Sequence, residues 1–198
     1  MSRWAPDARE RLEDAALELF SGQGYENTTV AQIAERAGLN RATFFRHFAD
    51  KREILFGRED ALAILFSDAI RSAPADADVP ACLLSALHAA DARMTADQRP
   101  KAVARRRIAD ANTDVQERGL LKIARTTTAV ADALSDRGVD ELTARLAAEM
   151  LILAFGVALR DWINADDHAE PFSSHAATAL DAIRDRAGLL RDPTTAKT

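Results

Sequence analysis

The sequence predicts an all-α fold with a small N-terminal three-helix domain followed by a larger helical domain. Three observations predict it. Apolar residues recur at helical spacing through almost the whole chain. No stretch alternates apolar with polar long enough to make a convincing strand. The 198 residues, 47% hydrophobic and 29% charged, have the composition of a globular protein and the length for one good core or two small ones.

The first helix is expected from about Asp7 to Ser21, with Leu12, Ala15, Ala16, Leu19 and Phe20 on one face, ending at Gly22-Gln-Gly24. Thr28 or Thr29 can cap a second helix of about two turns that stops at Gly38. Asn40 can cap a third, Arg41 to His47, whose Phe44 and Phe48 turn back into the core. A fourth helix opens near Lys51 and carries Ile54, Leu55, Ala61, Leu62, Leu65, Phe66 and Ile70 through about twenty residues. The run from Ala73 to Pro80 reads as a loop, since prolines and aspartates break the pattern. Further helices are expected near 80–94, 98–111, 113–136, 139–164 and 172–188. This divides the chain at 1–56, 57–190 and a polar tail over 191–198.

Charge and cysteine content bound the function. The net charge of −5 argues against a protein coated in basic charge for nucleic acid. Locally the balance reverses, because Arg36, Arg41, Arg46, Lys51 and Arg52 face only Asp50. The one cysteine, Cys82, cannot close an internal disulfide and reads as a small buried residue. No apolar run follows the first basic residue, and the uncharged stretch Met150 to Leu159 is half of what a bilayer needs. The expectation is a cytoplasmic protein with no membrane partner.

The segment from Thr29 to Phe48 carries the chemistry. It reads as a helix-turn-helix, with Ile33, Ala37, Leu39 and Phe44 spaced for a shared core, Ala34 small enough for a close crossing, and Gly38 at the turn. Arg41, Ala42, Thr43, Phe45, Arg46 and His47 are then left for the outer face of the third helix, which could enter a major groove. Lys51 begins the fourth helix, where its charge opposes the helix dipole, and a phosphate partner accounts for it better than stability does.

Thr29-Val30, Ile33-Ala34, Ala37-Gly38 and Thr43-Phe44-Phe45-Arg46-His47-Phe48, followed by Lys51, resemble the TetR-family signature over about residues 7–56. The resemblance implies a DNA-binding head, a long fourth helix, and a C-terminal helical domain that dimerises and binds a small effector. It places Thr29, Phe45, His47 and Lys51 at positions that contact the DNA backbone and Arg41, Ala42 and Thr43 where bases are read. Phe45 departs from the usual tyrosine and cannot hydrogen-bond a phosphate, though it can lie against sugars or a thymine methyl.

Farther along, Arg105-Arg-Arg-Ile108, Leu120-Leu-Lys-Ile-Ala124 and Ala147-Ala-Glu149 resemble a subgroup of the family found with mycofactocin-type regulators. That resemblance implies acyl-thioester or other lipophilic effectors. Candidate pocket residues are Phe66, Leu87, Met94, Ile108, Leu121, Met150, Phe155 and Trp162. Arg105, Arg106 and Arg107 could clamp an anion, but consecutive residues point around a helix and read more simply as solvated charge. Met150 to Leu159 is apolar around its circumference and must be buried on all sides, while Phe172, Ala176, Ala179, Leu180, Ile183 and Ala187 make a second stripe. Together these helices predict a homodimer through a four-helix interface. The alternatives are a helical ligand-binding module without DNA binding and an all-α enzyme. The four scattered histidines show no metal-ligand spacing, and no glycine-rich phosphate loop is present, so neither catalysis, cofactor nor metal is expected.

Overall fold

The computed structural model describes residues 7–56, 61–166 and 170–187. Every regular element among them is helical. They divide into two compact units, the first comprising residues up to Ala61 together with 100–122, the second 62–99 and everything after 122.

In the first unit, α1 (Ala8–Gln23) is started by Asp7, whose carboxylate accepts from the Glu10 amide at 2.8 Å. Its stripe of Leu12, Ala15, Ala16, Leu17 and Phe20 is buried. Gly24, at φ +88°, then turns the chain as only glycine does cheaply. Of the two candidate caps for α2 (Val30–Arg36), Thr29 takes the role, forming a capping box with Gln32. Thr28 is instead buried, its hydroxyl donating to the Gly24 carbonyl at 2.8 Å. Asn40 caps α3 (Arg41–His47), as its side chain predicts, by accepting from the Thr43 amide at 2.8 Å. Phe44 and Phe48 close the core with ring centroids 5.4 Å apart, each contributing about 1.5–3 kcal/mol by burial. The short α4 (Glu53–Phe56) adds Ile54 and Leu55 to the same core. The expected single fourth helix appears as α4 and α5 (Ala61–Ser72), and the stretch between them lies outside the described residues.

Ile108 and Val115 also belong to this core. They come from α7 (Arg99–Asp110) and α8 (Thr113–Ser135), so the chain returns to its N-terminal unit after forming two further helices.

The second unit holds α5, α6 (Val79–Ala89), a 3-10 turn at Asp91–Arg93, most of α8, α9 (Glu141–Asn164) and α10 (Phe172–Ala187). Asp78 caps α6, accepting from the Ala81 amide at 2.9 Å, and Pro80 sits in its first turn, where a missing N–H costs nothing. Cys82 is buried in this helix. Asp140 caps α9 through the Thr143 amide at 3.1 Å. The main packing of the unit is α9 on α10, with α6 against both. Ala144, Ala147, Ala148, Leu151, Ala154, Ala158 and Trp162 form the buried stripe of α9, small residues that let the helices approach closely.

The all-round burial expected for α9 is not what one chain provides. Leu142, Leu146 and Leu153 stay 79%, 60% and 56% exposed on the face away from that stripe. By length and composition α9 could cross a membrane; here its buried stripe packs within the helical unit.

Candidate nucleic-acid interface

The tight turn between α2 and α3 is made by Gly38 at φ +65°. A Cβ there would lie 2.9 Å from Nη2 of Arg11. That guanidinium donates to the Ala37 and Gly38 carbonyls, closing the C-terminal end of α2. Ile33, Ala34, Ala37 and Phe44 are buried as the helix-turn-helix pattern requires, and Leu39 packs against them.

With Phe44 turned inward, Arg41, Ala42 and Phe45 face solvent on α3. Phe45 is 50% exposed and stands edge-on to Phe44 at 5.4 Å, a flat apolar surface on the outer face. Arg46 is exposed but donates to the Thr43 hydroxyl at 2.9 Å. His47 is half-buried, its ring beside Phe48 and its carbonyl accepting from Arg9 Nη1 at 3.0 Å.

Two expectations about this face are corrected by the structure. Thr43 is not on the surface. It is 6% exposed, and its hydroxyl is shared between Asn40 Oδ1 at 3.1 Å and Arg46, so it orients Arg46 and steadies the cap. Lys51 does not open a helix against its dipole, because it precedes α4 and has partners within the chain. Its ammonium donates to the Tyr25 carbonyl at 2.7 Å and the Thr28 carbonyl at 3.1 Å and lies 4.0 Å above the Tyr25 ring. An ammonium has three donors. Thr29 remains exposed at the start of α2.

The basic character of the patch is tempered in the same way. Arg36 is paired with Glu18 and Arg52 with Asp50. Burial alone would raise the Asp50 carboxyl, but hydrogen bonds from Arg52 and the Glu53 amide outweigh it and hold it below the usual carboxylate range. Tyr25 goes the other way, pushed up to about 12 by burial and then by the charge of Asp50.

The arginine run on α7 is divided in its roles, as its spacing around the helix implies. Arg105 meets Glu13 of α1 at 3.0 Å, Arg106 pairs with Asp110 one turn on, and Arg107 is exposed. Lys101 reaches Asp14 and Glu10 of α1.

The proposed pocket residues do not gather in one place. Ile108 is in the core of the first unit, and Leu121 is 45% exposed in that unit. In the second unit Phe66, Phe155 and Trp162 are brought together through Phe172, with Phe66 and Phe172 ring centroids each within 5.5 Å of that of Phe155. Phe172 was legible only as a stripe residue, and nothing local links it to Trp162. Arg99, 5% exposed, lies 4.8 Å from the Trp162 ring. Leu87 is fully buried and Met94 half-buried after the 3-10 turn. Met150 lines a separate open groove of about 190 Å³ between α6, α9 and α10, with Leu83, Leu146 and Leu180 as apolar walls and Arg184 at its rim.

A capped seven-residue helix, anchored from inside by two phenylalanines and presenting arginine and aromatic side chains outward, defines a helix-turn-helix DNA-binding domain. Residues 12–57 match the family model described as bacterial regulatory proteins, tetR family. The HTH-type transcriptional regulator TcmR of Streptomyces glaucescens is 48% identical over 67 residues, 34% of this chain and 30% of that protein. SrpR of Pseudomonas putida is 45% identical over 51 residues, 26% of this chain and 24% of that protein. The chain thus matches less than a third of the length of either relative. Two solved structures are similar across nearly the whole fold. FadR of Bacillus subtilis, in complex with stearoyl-CoA, has a TM-score of 0.59 at 17% identity, covering 87% of this chain and 96% of that one. FadR of Thermus thermophilus, a repressor in complex with lauroyl-CoA, has a TM-score of 0.55 at 20% identity, covering 96% and 99%. Residues 12–57 are thus similar to the DNA-binding domain of TetR-family transcriptional regulators. Both relatives are HTH-type transcriptional regulators.

Proposed function

We propose that the chain is a ligand-responsive repressor that binds a near-palindromic operator as a homodimer and is released by a small lipophilic effector. The observation that carries the DNA-binding part is the outward face of α3, where Arg41, Ala42 and Phe45 are exposed on a helix held at its N-terminal end by Asn40 and from beneath by Phe44 and Phe48. Arg41 and Ala42 read bases, Phe45 lies against sugar or a thymine methyl, and Thr29, His47 and the third donor of Lys51 meet phosphates.

The apolar face of α9 supports the dimer. Leu142, Leu146, Met150, Leu153 and Val157 follow the spacing of a helix–helix seam, and the three leucines are open to solvent in the single chain. α10 packs beside α9 and completes a four-helix interface with the same pair from a partner. Ala179, one of the small residues expected there, is instead 3% exposed within the chain's own α9–α10 packing. A two-fold dimer presents the same reading helix twice, about 34–36 Å apart.

The lipophilic effector is supported by the aromatic group of Phe66, Phe155, Trp162 and Phe172 in the second unit. The acyl-CoA complexes of the similarly folded FadR proteins favour the same ligand class. A cytoplasmic location follows from work on chromosomal DNA.

Selecting bound duplexes from a random pool tests the DNA-binding reading. A near-palindromic consensus is expected, and Arg41→Ala should cost about 10- to 100-fold in affinity while blurring preference at particular base pairs. Unchanged affinity and preference in Arg41→Ala would place the reading face elsewhere.

A further inference from the structure

The reading helix α3 is only seven residues long. Its pose is therefore set by whatever holds its two ends. Asn40 holds the first. At the other end Arg9 of α1 lies over the Phe48 ring at 4.3 Å and donates through Nη1 to the His47 carbonyl at 3.0 Å. A cation on the last carbonyls of a helix is favourably placed against its dipole.

Arg9 is held in turn. Its Nε lies 3.1 Å from Oε1 of Glu13, one turn along α1. The other oxygen of the same carboxylate, Oε2, takes Nη2 of Arg105 on α7 at 3.0 Å. Glu13 is thus shared between two arginines, and all three side chains are mostly buried, 21%, 19% and 28% exposed for Arg9, Glu13 and Arg105. Arg9 Nη2 and Arg105 Nε are buried with no hydrogen-bond acceptor. The cluster therefore holds two cations on one anion, and that anion is what keeps both guanidiniums in place. Phe48 is itself 1% exposed, so Arg9 rests on a wall that cannot yield.

We propose that Glu13 is a positioning residue for DNA recognition: with Arg105 behind it, it locks Arg9 onto the C-terminal end of α3 and fixes the tilt at which Arg41 and Ala42 meet base edges. The proposal rests on the reading of α3 as the recognition helix. Without the carboxylate, two buried arginines repel each other and Arg9 leaves the His47 carbonyl. Base contacts, which depend on direction and distance, suffer first. Contacts to phosphate tolerate a small tilt better, because charge attraction is less directional.

Glu13→Gln keeps the size of the side chain and removes its charge. Operator affinity should fall about tenfold, the scale of one lost charge-assisted hydrogen bond, while affinity for random duplex changes less than about twofold because phosphate contacts dominate it. The specific-to-random ratio is the readout that a purely structural role would not move at temperatures well below the melting midpoint. Glu13→Asp should restore part of the ratio. Arg9→Gln should lower it similarly, and the Glu13→Gln, Arg9→Gln double variant should be no worse than the worse single one, because Glu13 acts on α3 through Arg9. An unchanged ratio in Glu13→Gln, or losses that simply multiply, would overturn the proposal. If Glu13→Gln fails to fold, Arg9→Gln, which removes the contact to the His47 carbonyl directly and leaves Glu13 paired with Arg105, decides alone by the same ratio. A wild-type protein that selects no duplex overturns the recognition-helix reading and this proposal with it, an outcome distinct from normal selection with an insensitive Glu13.

Discussion

Truncating Lys51 tests whether this lysine is foremost a strut inside the DNA-binding domain. Its ammonium bridges two carbonyls, of Tyr25 at 2.7 Å and Thr28 at 3.1 Å, in the turn that delivers the chain into α2. The Tyr25 carbonyl also accepts from the Thr28 amide at 3.2 Å, so it keeps one partner when the lysine is gone. Lys51→Ala thus loses about one full charge-assisted hydrogen bond, worth roughly 1.5–3 kcal/mol. The cation above the Tyr25 ring adds about 0.5–1 kcal/mol at a partly exposed site. Water can reach the half-buried site and repays part of this, leaving an expected loss of about 2–3 kcal/mol. At this chain length each kcal/mol moves the melting midpoint by about 2–4 °C. A fall of about 5–10 °C should appear in a thermal melt followed by helical circular dichroism. Lys51→Met, which retains the stem over the ring, should recover only a small part. The DNA measurement is separate: if the third donor also holds a phosphate, the folded variant should show a salt slope lower by about 1. A Lys51→Ala melt within about 1 °C of the parent would refute the strut.

Two further outcomes follow from exposure and charge. Tyr25 holds its proton to about 12 in the folded chain against 10.0 for the free group, so its contribution is complete below pH 10 and is lost as the pH rises toward 12. Urea midpoints at pH 9 and 11.5 should therefore fall more for the parent than for Tyr25→Phe, and parallel falls would show that the phenol is not responsible. At the α9 seam, Leu146→Glu and Leu153→Glu alter side chains 60% and 56% exposed in the single chain. They should cost the monomer fold less than about 0.5 kcal/mol yet dissociate a dimer in light scattering, and a dimer of undiminished mass would move the interface away from α9.

What the sequence by itself determined was local. The start of α1, the bounds of α3, the capping of α3 by Asn40, the cap of α2 at one of two threonines and the turn at Gly38 all depend on residues within a few positions of one another. Caps, helical period and left-handed turns act through hydrogen bonds and backbone sterics of that range, so the chain order spells them out. The apolar circumference of α9 was equally visible, although only the structure showed which half of it the chain covers for itself. Tertiary structure decided what depends on distant partners. Thr43, expected on the outer face of α3, lies on its buried side. Lys51 finds its carbonyls 23 and 26 residues back. Ile108 leaves the expected effector pocket for the core beneath the reading helix, and Arg105 meets Glu13 across 92 residues of sequence. A single arginine in a basic run looks the same whether water, a phosphate or a buried carboxylate will face it. The choice is made when helix packing brings the carboxylate to within 3.0 Å, because desolvation then makes an unpaired charge too costly to leave.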